Sequence, residues 1–236
     1  MSAADPQPIG DRLAEHVARL AAAQPPEPQL HRATPEALLP DDYDDLPTAG
    51  QLLEHKRLAT WQRAIPNRFQ WAELDDFTDQ PPDVVAGLAE WSAKPDQRNL
   101  LLLGPVGVGK THAAVAATRR QHFDSGADVR FLPVVELLDM LRPGGPEGAL
   151  YDLADTDLLV LDDLGSERPT EWTAERLYAL INRRWLEARP TVCTTNLEPD
   201  PLREAVGERV FSRLVGNGAV VLRLTGHDRR RKRRGE

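Results

Sequence analysis

The residue types most able to do chemistry are concentrated in one stretch, Gly104-Pro105-Val106-Gly107-Val108-Gly109-Lys110-Thr111, with His112 next in line. Glycines carry no Cβ, so the backbone can adopt positive φ and close its N–H groups around an anion. Lys110 adds a positive point charge, and Thr111 offers a hydroxyl suited to a hard divalent cation. The spacing fits GxxxxGK[ST] at every fixed position, the pattern of loops that cradle nucleotide phosphates. A helix beginning at Thr111 adds the positive end of its dipole. Residues 104–112 are therefore the expected phosphate-binding residues, ATP and Mg2+ the expected ligands, and Thr111 the first expected metal ligand.

A second group of polar residues stands at the ends of apolar runs. Asp162 closes the run Asp157-Leu158-Leu159-Val160-Leu161-Asp162-Asp163. A carboxylate at the carboxyl end of a buried strand, level with the phosphate loop, holds Mg2+ through water. Asp163 either orients the attacking water, from a side chain one methylene shorter than the glutamate of many such sites, or supports the site as a capping carboxylate. Slow turnover is expected from the shorter reach. Asn196, just past Thr191-Val192-Cys193-Thr194-Thr195, is either a hydrogen-bonding partner of the γ-phosphate or lytic water, or a turn residue. Arg209 and Arg213 lie four apart in Gly207-Glu208-Arg209-Val210-Phe211-Ser212-Arg213-Leu214, so they share a helix face. A site completed by a neighbouring copy needs a guanidinium to neutralise the developing charge; Arg213 is the first candidate and Arg209 the second.

These groups need elements to hold them. Asn99-Leu100-Leu101-Leu102-Leu103 reads as a buried parallel strand ahead of the loop, and the residues from Thr111 to Arg120 read as a helix after it. Further strands are expected at 128–133, 157–163, 191–196 and 219–224. Helices are expected at 134–142, 170–188 (capped by Thr170) and 201–214, with a loop at 142–148. Strands alternating with helices give an α/β fold, a P-loop NTPase with a parallel five-stranded sheet and helices on both faces. Upstream, residues 49–64 read as a helix with Leu52, Leu53, Leu58 and Trp61 on one face. The aromatics of residues 65–77 pack a domain edge or flank adenine. Pro81-Pro82 precedes a helix with Val84, Val85, Leu88 and Trp91 on its apolar side.

Composition sets the frame. The 236 residues suffice for one α/β domain with an appendage. Three segments are expected: an acidic, Pro-rich leader over 1–48, a nucleotide-binding domain over 49–228 and a basic tail over 229–236. The leader contains one amphipathic stretch, 11–22, read either as a docking helix or as part of a solvated segment. The tail is either solubilising or a nucleic-acid contact, for which neutralising about six phosphates gives a log–log salt slope near −5. Cys193 is the single cysteine, which excludes an internal disulfide and a cysteine zinc cluster. With no apolar run of membrane length and no secretory signal, a cytoplasmic setting with no membrane partner is expected.

Together these motifs resemble the helicase-loader and transposition-helper ATPases, the DnaC/IstB group of AAA+ proteins. The resemblance begins near Ile65-Pro66-Asn67-Arg68-Phe69 and runs through the glycine loop, Leu161-Asp162-Asp163-Leu164-Gly165 and Glu171-Trp172. It continues with Ile181-Asn182-Arg183-Arg184, Thr194-Thr195-Asn196 and Gly207-Glu208-Arg209, and ends near Gly216-Asn217-Gly218. It implies a compact ATPase without a separate lid domain, with Asn196 as first sensor and Arg213 as the arginine finger that serves a neighbouring copy. The implied activity is a Mg2+-dependent ATPase acting as an oligomeric switch on DNA. The implied partners are a replicative DNA helicase, or alternatively a transposase, and single-stranded DNA. The leader lacks the cysteines of the zinc-binding domain that some loaders carry. A small-molecule kinase using the same loop would need an arginine-rich lid, and the loop at 142–150 holds only Arg142. A non-hydrolysing adaptor is the remaining alternative.

Overall fold

The computed structural model describes residues 47–94 and 98–229; the amphipathic stretch at 11–22, the acidic leader and the basic run after Arg229 lie outside the described residues. Helix α1 (Ala49–Ala64) and two 3-10 turns (Asn67–Phe69, Leu74–Phe77) lead to α2 (Pro82–Ala93). The chain then alternates: β1 (Leu100–Leu103), α3 (Lys110–Ser125), β2 (Val129–Pro133), α4 (Val134–Met140), α5 (Ala149–Asp155) and β3 (Leu158–Asp162). It closes with α6 (Glu171–Leu186), β4 (Thr191–Thr195), α7 (Pro199–Val206), α8 (Glu208–Val215) and β5 (Val220–Arg223).

The strands form one sheet in the order β2-β3-β4-β1-β5, with every pairing parallel. Both faces are covered, which is why β1 is four leucines and all four are buried. Leu100 and Leu102 join a core with Trp61, Phe77, Leu88, Trp91 and the alanines of α3. Leu101 and Leu103 face the opposite core with Leu137, Leu180, Leu202 and Phe211. The period of two along β1 thus divides its side chains between two helix layers. Because β4 lies between β3 and β1, the carboxyl ends of these three strands adjoin, and this is where parallel sheets bind ligands.

Two expectations need correction, and one helix is additional. The helix expected over 201–214 is two helices, broken at Gly207, whose φ of 85° and ψ of 149° are not helical. Helix α5 was not anticipated in the segment after the glycine-rich loop. Leu52 and Leu53 do not share a buried face with Trp61; they are exposed, and only Trp61 of α1 is buried.

One buried cation stitches the frame. Arg184 is 1% exposed and donates to the carbonyl oxygens of Leu153, Ala154, Thr156, Asp157 and Pro190 and to Thr191 Oγ1. It thereby satisfies the carbonyls at the end of α5 and joins them to the start of β4. Burial pushes its pKa down to about 10, so it stays charged at neutral pH. The Cys193 thiol, buried beside it in β4, is pushed up to about 12 and is unreactive at neutral pH.

Candidate functional site

The loop after β1 owes its shape to glycine. Gly107 and Gly109 have φ of 86° and 101°. A Cβ on Gly107 would sit 2.1 Å from Asp228 Oδ1. No side chain caps α3, so its first N–H groups remain for a ligand. The loop borders a cleft of about 560 Å3 lined by Val106, Gly107, Gly109, Lys110, Thr111, His112, Asp162, Asp163, Thr194 and Asn196. Gly104, Pro105 and Val108 act from behind. The carbonyls of Gly104 and Pro105 accept from Lys110 Nζ at 2.9 and 2.8 Å, and Val108 is buried in the core.

Five of the polar residues expected to work together are hydrogen-bonded, three in a chain and two in a pair. Lys110 Nζ donates to Asn196 Oδ1 at 2.7 Å, and Asn196 Nδ2 donates to Asp163 Oδ1 at 2.6 Å. Thr111 Oγ1 donates to Asp162 Oδ1 at 2.9 Å. The hydroxyl and carboxylate that could hold Mg2+ are thus already in contact across the sheet. This pair fits a cation that takes only one or two protein oxygens and completes its shell with phosphate and water. Burial is the largest influence on Asp162 and raises its pKa, opposed by the hydroxyls of Thr194 and Thr111. Asp163 sits at φ 61°, a left-handed conformation that is uncommon outside glycine. It aims the carboxylate at Asn196 rather than along the strand.

Two contributors escaped the reading of the sequence. Thr194 Oγ1 donates to Asp162 Oδ1 at 2.7 Å and accepts from Asp163 N at 3.0 Å, so one hydroxyl fixes both aspartates. The available signal was a threonine in the middle of a fully buried strand, where a hydroxyl must find partners. Arg229, read as the first residue of the tail, lines the cleft. Its N donates to Gly107 O at 3.0 Å and its Nη1 to Asp76 O at 3.0 Å, its guanidinium covers Phe77, and it pairs with Asp79. Nothing in its local sequence distinguished it from the arginines that follow. Arg68, Phe69 and Asp76 also line the cleft, with Phe69 edge-on to His112 and Asp76 Oδ2 2.6 Å from His112 Nε2. The aromatic stretch 65–77 therefore meets the cleft rather than only a domain edge.

Arg213 does not line this cleft. It packs on α6, and its carbonyl accepts from Asn99 Nδ2 at the amino end of β1, the end opposite the glycine loop.

Comparison with known proteins shows the family. The model of the IstB-like ATP binding protein family matches residues 54–234. The ATP-binding protein of insertion sequence IS21 from Pseudomonas aeruginosa is 31% identical over 169 residues, 65% of this chain and 63% of that protein. The replicative helicase loader DnaC of Escherichia coli (strain K12) is 30% identical over 131 residues, 52% of this chain and 53% of that protein. The matched stretch therefore spans between about half and under two thirds of these relatives. The crystal structure of the DnaC helicase loader superposes with a TM-score of 0.62 at 26% identity, covering 68% of this chain and all of that one. A glycine loop backed by Lys110, the Thr111–Asp162 contact and a parallel sheet in this strand order thus coincide with a family match across most of the chain, and the protein belongs to the IstB-like ATP-binding proteins.

Proposed function

We propose that this protein binds and hydrolyses MgATP as a self-associating switch on DNA, and that its client is a replicative helicase. The observation that carries the reading is the hydrogen-bonded chain Lys110–Asn196–Asp163 beside the Thr111–Asp162 pair. Lys110 and the loop N–H groups bind and orient the phosphates. Thr111 and Asp162 hold Mg2+, which when bound neutralises charge on the phosphoryl oxygens. Asp163 orients the attacking water, Asn196 donates toward the γ-phosphate or that water, and Arg213 reaches the site of an adjacent copy. Positioning and charge neutralisation supply the catalysis, with no covalent step.

The DnaC relative favours the helicase client. A second reading, an IS21-type helper that serves a transposase on target DNA, is favoured by the longer aligned stretch with the IS21 protein. Lys110→Ala is expected to abolish nucleotide binding; tight MgATP binding by that variant refutes the site. Asp163→Asn, expected to bind ATP without hydrolysing it, is then the bait for a client pull-down. Recovery of the replicative helicase supports the first reading, and recovery of a transposase replaces it with the second.

A further inference from the structure

The surroundings of Arg213 differ from those of Arg98, Arg119, Arg183, Arg189, Arg223 and Arg229, each of which lies within ion-pair distance of a carboxylate. Among the described residues no carboxylate pairs with Arg213; neutral groups hold it instead. Its Nε donates to Asn182 Oδ1 at 2.8 Å, its Nη1 to Arg209 O at 2.9 Å and its Nη2 to the Tyr178 hydroxyl at 3.4 Å. Its guanidinium carbon lies 4.9 Å from the centre of the Tyr178 ring and 5.5 Å from that of Trp185. Tyr178, Asn182 and Trp185 fall at successive helical turns of α6 and so make one face. Beside them Leu186 is 65% exposed.

A free arginine side chain loses considerable rotamer freedom when it is fixed. A carboxylate would offset that loss and also cancel the charge. An amide oxygen, a hydroxyl and two ring faces fix the guanidinium while leaving its charge available to an anion. That anion is not in the protein's own cleft. Asn99, which binds the Arg213 carbonyl, and Gly104, where the glycine loop starts, are separated by the length of β1, about 16 Å for five residues at ~3.3 Å each.

We propose that Tyr178, Asn182 and Trp185 are positioning residues that form a neutral socket, presenting the uncompensated Arg213 guanidinium to the nucleotide cleft of a second copy of this chain. The proposal rests on the reading of Arg213 as the residue that completes a neighbour's site.

Asn182→Asp is the deciding variant. Aspartate keeps the acceptor for Arg213 Nε and adds an ion pair, so a purely structural role is satisfied, whereas the presented charge is cancelled. Thermal stability and affinity for a fluorescent MgATP analogue are expected to stay at wild-type values. Self-association in a slowly hydrolysed ATP analogue, followed by sedimentation, is expected to weaken about tenfold or more, the loss of one charge-assisted contact. Turnover falls with it. Mixing Asn182→Asp with Asp163→Asn subunits, whose Arg213 socket is intact, is expected to restore turnover at the Asn182→Asp clefts. Wild-type self-association and turnover by Asn182→Asp overturn the socket, and so does a defect that mixing does not repair. If Asn182→Asp does not fold, Trp185→Leu carries the same measurements. Unchanged self-association and turnover in Arg213→Ala is a separate failure, which removes the neighbour-completing role itself.

Discussion

Asn196 and Lys110 are bonded directly, amide oxygen to ammonium, at 2.7 Å. Because the other end of the same amide donates to Asp163, one side chain ties the cation proposed to bind phosphate to the carboxylate expected to orient water. If a phosphate oxygen recruits Lys110 in place of Asn196, the change is expected to reach Asp163 through this amide.

Asn196→Ala is expected to leave MgATP affinity largely intact, since Lys110 keeps the carbonyls of Gly104 and Pro105. Turnover is expected to fall about 100-fold, the usual consequence of removing one preorganised donor. Equilibrium binding alongside single-turnover hydrolysis checks this; an equal loss in both would mean that Asn196 serves binding rather than the chemical step.

Asp162→Asn is expected to raise the melting temperature of the nucleotide-free protein at neutral pH. Burial raises the pKa of Asp162 in the native state. The native state therefore binds this proton more readily than the unfolded chain, and the ionised group costs stability above the raised value. That cost disappears as pH falls through the raised pKa toward the unfolded value of about 3.9. The advantage of the variant should shrink over the same interval, and the stabilisation that MgATP gives the wild type should be lost in it. Paired thermal melts across acidic and neutral pH, with and without MgATP, read both effects.

Thr194→Val keeps the shape of β4 and removes the hydroxyl shared by the two aspartates. The Asp163 N–H loses its partner in a half-buried position, so a cost of about 1–3 kcal/mol is expected in denaturant unfolding. The Mg2+ concentration needed for half-maximal turnover should rise, because Asp162 loses one of its two hydroxyl donors and keeps only Thr111. Thr194→Ser should restore both quantities; failure of serine to do so would point to the methyl group instead.

Gly104→Ala is expected to destabilise the protein by about 1–3 kcal/mol, the range for overpacking a tight site. Gly104 has φ 143°, and an added Cβ would lie 2.3 Å from the backbone carbonyl of Leu224. That carbonyl cannot step aside without disturbing the end of β5, which pairs with β1. Denaturant unfolding measures the cost, and wild-type stability would show that the turn relaxes freely.

Much of the fold was readable because its determinants are local. Leu100 to Leu103 had to be covered on both faces, and Thr170 does cap α6, accepting from Thr173 N. The helix expected over 201–214 differs in its middle, because a single glycine there is compatible with helix or break until φ is fixed. Gly207 takes the break, and this turns α8, with Arg213, onto α6.

The sequence by itself determined the glycine loop, the alternation of strands and helices, and the identities of Lys110, Thr111, Asp162, Asp163 and Asn196. Spacing and apolar patterning act over a few residues and leave little choice. The tertiary structure alone decided which of these touch. Strand β4 lies between β1 and β3, and this order puts Thr194 on Asp162 and Asn196 between Lys110 and Asp163. It also decided that Arg229 folds back over the loop while Arg213 stands at the other end of β1. Residues that are distant in the chain meet according to strand order and helix packing, and no local pattern records either.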